Sequence, residues 1–353
     1  MEDKMSDYYQ FELAKAAMVL ARDLVCLKEG ESIIVSADTL SDMRVVDAVA
    51  AAAHTVGAKP MVVTVATPLG VGKVADSLFP FEPLVAALSN ADAWVELNKM
   101  YVSYSSVGEI ALKQNKKLRH ANLVGMDTDM MVRLVGRVNT PVLSKFLQAV
   151  TQITQPTTDM RITTPVGNDL RFKLLPKERA VLCEDGMADK PGSHYLAGQI
   201  CFYPEYSSIH GRMVFDGPIS PPGGYLDAPV VIDVEKGRIA SISGGKKADE
   251  WRSWLEALND PNMFRIAHGC YGFLPGAKLS NNVIEDERVW GATQWGFGYV
   301  SPADVPPDGI PAKSHTDGIC LNSSVWLDGV QILDCGKVIH PELKLLSEAL
   351  IGY

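Results

Sequence analysis

Partway along the chain the apolar residues change their spacing, and that change narrows the fold more than any other feature. Between Phe11 and Val150, segments with helical apolar spacing alternate with short apolar runs. Residues 11–26, 42–56, 84–88, 107–114 and 130–150 read as helix, and residues 32–36, 61–65, 93–97 and 121–126 as strand. Strands alternating with helices imply parallel pairing, with the helices covering the sheet. After Gln155-Pro156 a period of two takes over. Residues 160–174 read as a hairpin about Gly167-Asn168, and residues 230–242 as another about Lys236-Gly237. The runs QICFY and GRMVF add strands, and only residues 248–258 look helical. The expectation is an α/β N-terminal domain with a parallel sheet over residues 1–155. A mostly β (α+β) domain over residues 156–353 follows and carries the chemistry. Two domains suit a chain of 353 residues.

Charge excludes several functions. The chain has 33 Lys and Arg against 42 Asp and Glu, a net charge of −9. It lacks the basic footprint that a phosphate backbone or an anionic membrane surface selects, so neither nucleic acid nor membrane is an expected partner. No apolar run approaches the ~20 residues of a membrane span. The opening MEDKMSDYYQ has no basic stretch leading into an apolar one, so no secretory leader is expected. The six cysteines (Cys26, Cys183, Cys201, Cys270, Cys320 and Cys335) are scattered without a CxxC pair, which fits reduced thiols in a cytoplasmic protein. The markers of serine hydrolases, P-loop proteins and dinucleotide binders are missing. A homo-oligomer is expected, because an irregular β domain offers partner surfaces.

The segment Ser314-His315-Thr316-Asp317-Gly318 carries the sharpest chemistry. On a strand, residues two apart point to one face, so His315 and Asp317 can aim an imidazole and a carboxylate at one point. A third ligand from elsewhere would complete a two-histidine, one-carboxylate set, which leaves adjacent positions of Fe(II) open for substrate and O2. His268, in IAHGCYG, is the candidate. The competing reading is a surface strand with two polar side chains and a structural histidine. Glu184 and His194 flank a Gly/Pro loop in CEDGMADKPGSH, a suitable place for acid–base groups or a solvated acidic loop. His120 ends the basic patch KKLRH and reads as part of a solvated turn.

On CEDGMADKPGSHYLAG, IDVEKGRIASISGG, AHGCYGF and SHTDGICLN, the chain resembles the 2,5-dihydroxypyridine 5,6-dioxygenases, relatives of the aminopeptidase T metallopeptidases. The resemblance runs over nearly the whole chain and is faint in its first part. It implies an Fe(II)-dependent ring-cleaving dioxygenase that uses O2 to convert 2,5-dihydroxypyridine, or a close N-heterocyclic analogue, to N-formylmaleamate. The metal would be held by His268, His315 and Asp317. Glu184 and His194 would hydrogen-bond the hydroxypyridine and handle its protons. Tyr104, or the competing Tyr101, stands where the dioxygenases carry a pocket histidine. The peptidases carry a glutamate ligand where this chain has His268, and a histidine ligand where it has Gln294. Both differences point away from the alternative, a metallo-aminopeptidase with a dinuclear site.

Overall fold

Five short strands with mostly buried side chains build a wholly parallel sheet in the order Lys59–Val65, Ser32–Asp38, Ala93–Glu96, Arg119–Asn122, Gly192–Tyr195. Six of the seven residues of Ser32–Asp38 are buried, as expected of a central strand covered on both faces. The structure is a computed structural model and describes residues 9–70, 72–175, 181–300, 305 and 309–351. Residues 1–8, read above for a leader, lie outside them. The chain divides into two units. Met1–Thr140 and Asp185–Ala197 form the first, and Pro141–Glu184 and Gly198–Tyr353 the second.

In the first unit, helix Met43–Thr55 starts at Asp42, whose carboxylate accepts the Arg44 N–H, and the helix buries Val45, Val46, Val49, Ala52 and Ala53. Thr128 also donates to Asp42, from its backbone N–H and from its hydroxyl. Burial alone would raise the Asp42 carboxyl, but these hydrogen bonds from Arg44 and Thr128 hold it at about 2. His120 differs from the sequence reading. The lysines of KKLRH end the turn, and Arg119 and His120 enter the sheet. His120 is buried and stacked 3.8 Å from Trp94. Its Nε2 lies 3.1 Å from Glu96 Oε2 and its Nδ1 2.9 Å from Ser193 Oγ. Glu96 Oε1 also accepts the N–H groups of Val102 and Ser103, which anchors the segment bearing Tyr101 and Tyr104.

The second unit holds two antiparallel sheets, one of eight strands and one of six. Both expected hairpins are present in the larger sheet, as Asp159–Thr163 with Asp169–Lys173 and Val230–Glu235 with Arg238–Ser243. Lys236 and Gly237 both take positive φ, 49° and 69°, the two-residue turn that matches strand twist. The expected helix spans Lys246–Ala257, and Pro341–Ile351 adds a helix that the period-two pattern did not show. Composition places one boundary near residue 155. In the structure helix Thr140–Thr154 groups with the second unit, because Phe146 packs 5.2 Å from Phe273 and 5.3 Å from Trp290. Among the described residues no helix is long and apolar enough to cross a membrane.

The six-stranded sheet runs Ile219–Ser220, Ile310–Cys320, Thr293–Val300, Ile266–Gly272, Gln199–Phe202, Val181–Glu184. Its inner face meets the larger sheet through aromatic side chains. Trp295 lies edge-on to Phe172 at 5.4 Å and to Phe202 at 5.9 Å. Phe297 packs against Phe215 and Trp251. Trp295→Ala is expected to lower the unfolding free energy by about 3–5 kcal/mol, the usual cost of an aromatic cavity. Urea denaturation checks this, and a loss below ~1 kcal/mol would show that the sheets do not depend on that ring.

Candidate metal centre

The sequence of the central strand, Thr293–Val300, explains how a polar site sits on an apolar sheet. Trp295 and Phe297 point into the core, so Gln294, Gly296 and Gly298 occupy the other face. On one side Gly296 pairs with Asp317 and Gly298 with His315. On the other side Gly296 pairs with His268. His268, Gly296 and Asp317 therefore form one cross-strand row, with His315 beside it.

His268 reaches this face through a bulge. Ile266 pairs with Phe297, yet His268, two residues on, pairs with Gly296, one residue back. The extra residue, Ala267, reverses the facing of everything after it. With the same residues in an unbulged ladder, His268 would pair opposite Trp295 and enter the core.

The three side chains converge. His268 Nε2 lies 3.2 Å from His315 Nε2 and 3.8 Å from Asp317 Oδ1, and His315 Nε2 lies 2.9 Å from Asp317 Oδ1. Donors about 2.1 Å from one ion stand about 3.0 Å apart at neighbouring positions and about 4.2 Å apart at opposite ones. The 2.9 Å and 3.2 Å separations suit neighbouring positions on one cation, and the 3.8 Å separation of His268 Nε2 from Asp317 Oδ1 falls between the two values. Each group is also held from behind. His315 Nδ1 donates to the Tyr299 carbonyl at 2.7 Å, Gln294 Nε2 donates to Asp317 Oδ1, and His268 Nδ1 meets Cys270 Sγ at 3.4 Å. Once His315 gives up the proton it shares with Asp317, these contacts leave both Nε2 lone pairs facing the convergence point.

Gly296 makes the room. A Cβ there would lie 2.6 Å from His268 Nε2 and 2.8 Å from His315 Cε1. The requirement is for space, since the backbone at 296 is outside the left-handed region.

The electrostatics favour a cation. Burial lowers the His268 pKa to about 4, and the neighbouring His315 adds to this against the pull of Asp317. Burial would lower His315 too, but the Asp317 charge, its hydrogen bond and the Tyr299 carbonyl raise it to about 9. The metal-free cluster thus keeps one proton, on His315 against Asp317. Nearby, burial reinforced by the Asp317 charge pushes the Glu287 carboxyl up. Glu287 Oε2 accepts from Gln199 Nε2 at 3.2 Å.

The other sequence candidates are spread over both units. Glu184 ends the edge strand of the sheet that carries His268, His315 and Asp317, opposite Gln199. His194 belongs to the parallel sheet of the first unit, its Nε2 2.8 Å from the Lys190 carbonyl. Tyr104, also of the first unit, is 46% exposed, with its ring 4.7 Å from that of Tyr101. Sequence reasoning missed Gly296, Glu287, Gln199 and the thiol beside His268. Two signals were present: the small residues alternating with aromatics in WGFG, and His268-Gly-Cys270, which repeats the spacing of His315-Thr-Asp317.

Fold and site together define a two-unit protein, parallel α/β then antiparallel β, with a candidate metal centre on the smaller antiparallel sheet. The chain belongs to the 2,5-dihydroxypyridine 5,6-dioxygenase family, whose model matches residues 16–340. It is 26% identical over 193 residues to the 2,5-dihydroxypyridine 5,6-dioxygenase of Pseudomonas putida KT2440, covering 52% of this chain. The match spans about half of that relative, 55%. The solved 2,5-dihydroxypyridine dioxygenase from Pseudomonas putida KT2440 shares the fold, with a TM-score of 0.76, 22% identity, and coverage of 96% of this chain and 99% of that one. Wild-type AmpT from Thermus thermophilus shares it too, with a TM-score of 0.64, 14% identity, and coverage of 94% and 100%.

Two outcomes follow from this geometry. Gly296→Ala should abolish cation retention, measured by elemental analysis after desalting, while thermal unfolding stays near that of the wild type. The added methyl displaces imidazoles rather than backbone. Cation binding must also expel the His315 proton, so affinity should tighten between pH 6 and 8 by up to about tenfold per unit. Close to one proton should be released per cation in weak buffer. An affinity that does not change over this range would contradict the assigned proton.

Proposed function

We propose that this chain is an Fe(II)-dependent ring-cleaving dioxygenase acting on a dihydroxylated pyridine. It would convert 2,5-dihydroxypyridine to N-formylmaleamate, or act on a close analogue. The observation that carries this reading is the convergence of His268, His315 and Asp317 over Gly296 in a member of this family. These three residues would hold the metal. Fe(II) so bound supplies a redox-active centre with room for a hydroxypyridine and O2. In the overall change the C5–C6 ring bond breaks and both oxygen atoms enter the product. The ring itself supplies the electrons, so no external reductant is consumed.

The chain's own groups bind, orient and manage protons. Gln294 and Tyr299 hold Asp317 and His315 in the conformation that presents their donor atoms. Glu184 and His194 are assigned to hydrogen-bonding the hydroxypyridine and moving its protons. Tyr104 is assigned to the ring's surroundings as a hydrogen-bond donor, since a phenol is a poor base near neutral pH. A homo-oligomer working in the cytoplasm completes the reading.

The metallo-aminopeptidase alternative draws on likeness of fold to AmpT. It needs a second metal. Gln294 offers an amide rather than an imidazole, and that amide is engaged with Asp317. Metal content separates the two, with near one iron per chain expected here and two zinc or cobalt ions expected of the peptidase. Iron-loaded protein should consume O2 when given 2,5-dihydroxypyridine. His268→Ala should lose both iron retention and O2 uptake. Full iron loading without O2 uptake on any dihydroxypyridine would remove the dioxygenase assignment.

A further inference from the structure

The bulge that turns His268 toward Gly296 turns Cys270 to the same face, since the two are separated by one residue on a strand. Cys270 pairs directly with Cys201 on the neighbouring strand Gln199–Phe202. The Phe273 N–H bonds the Gly198 carbonyl at 2.7 Å, so alternation along the ladder makes Cys270 and Cys201 a non-hydrogen-bonded pair. In such a pair the Cα atoms stand about 4.5 Å apart and the side chains are nearest. Cys270 Sγ lies 3.4 Å from His268 Nδ1, and one donor atom each from Cys201, His268 and Cys270 falls within 4.8 Å of the others. Two sulfurs and an imidazole nitrogen thus converge behind the ring whose other nitrogen faces His315 and Asp317.

We propose that Cys201, Cys270 and His268 Nδ1 form a second cation site, selective for thiophilic ions such as Cu(I), Zn(II) or Cd(II), and that its occupancy excludes metal from the His268–His315–Asp317 site.

Donor softness sets the class of ion. Thiolate sulfur favours Cu(I), Zn(II) and Cd(II) over hard oxygen-seeking ions. A coordinated thiol gives up its proton outright. Cys270 is buried, so only ions that bind sulfur strongly can repay that deprotonation. Cys201 is partly exposed, which provides an approach.

Exclusion follows from the imidazole. A neutral ring carries one N–H. A cation on Nε2 leaves that hydrogen on Nδ1, donated to Cys270. A cation on Nδ1 moves it to Nε2, where it faces His315 Nε2 at 3.2 Å and occupies the lone pair that the other site needs. The balance is one cation taken up and two thiol protons released, with no change of oxidation state. The thiol site stands on its own geometry, and the exclusion rests on the metal site proposed above.

The test is a titration of the metal-free full-length chain with Cd(II), under a non-thiol reductant. The readout is the ultraviolet sulfur-to-cadmium charge-transfer band. Wild type should show the band saturating near one equivalent. Cys201→Ser and Cys270→Ser should each weaken Cd(II) at least tenfold with loss of the band. Asp317→Ala, which touches only the other site, should keep it. Circular dichroism checks that each variant folds, and Cys201→Ser, at the more exposed position, serves if Cys270→Ser does not. Loading with Fe(II) first should weaken Cd(II) at least tenfold in wild type. No band in wild type, or a band unchanged in folded Cys201→Ser, overturns the thiol site. A cysteine-dependent band indifferent to Fe(II) loading overturns the exclusion. Failure of O2 uptake with a cysteine-dependent band intact would remove the dioxygenase reading and leave the thiol site standing.

Discussion

Gly296 lies beneath the meeting point of two imidazoles and a carboxylate, and the rest of the site depends on the side chain it lacks. Strands in a sheet stand about 4.8 Å apart, so side chains from the two flanking strands meet only if the strand between them presents nothing. Here that strand presents a hydrogen atom. A single methyl would come within 2.6 Å of His268 Nε2, so the site and an unbranched sheet surface cannot coexist at that row. The same strand sends Trp295 and Phe297 the other way, into the aromatic layer between the sheets. One octapeptide thereby contributes two aromatic rings to the core on one face and leaves a gap on the other.

The polar face around this gap is organised by partners of graded strength. His315 has a backbone carbonyl behind it, Asp317 has an amide, and His268 has only a thiol. A thiol is a weaker acceptor than a backbone carbonyl, so of the two histidines His268 is the one whose hydrogen is more readily relocated. The Coulomb balance runs in parallel. Asp317 keeps His315 protonated in the metal-free cluster, whereas His268 stays neutral beside it. A cation placed there would meet one nitrogen that must lose a proton and one that need only keep its lone pair. The ring that is easiest to occupy is also the ring shared with the thiol pair.

Much of this was legible in the residues. The alternation of helix and strand over the first part, the hairpin about Lys236-Gly237 and the shared facing of His315 and Asp317 follow from local periodicity, and the structure has all three. The basic patch at His120 misled, because two lysines and an arginine suggest solvent while Trp94 and Glu96, more than twenty residues earlier, bury the imidazole. Gly192–Tyr195 was unreadable as a member of the first sheet, since nothing local records a strand that returns across some 70 residues to pair with Arg119–Asn122. Helix Thr140–Thr154 was assigned by its neighbours in sequence. In the structure it follows its aromatic partners instead.

By itself the sequence determined the two fold classes and the pair His315 and Asp317, because periods of two and 3.6 are properties of contiguous residues. Resemblance singled out His268, but no period can show which way that histidine points. Its facing depends on the extra residue at Ala267, and a bulge is defined only by the strand against which it is counted. The same holds for Gly296, Cys201 and Gln199, which are ordinary residues until three separate strands are brought into register. Only the tertiary structure decided that these residues share one face, because a shift of a single residue in that register would have sent half of them into the core.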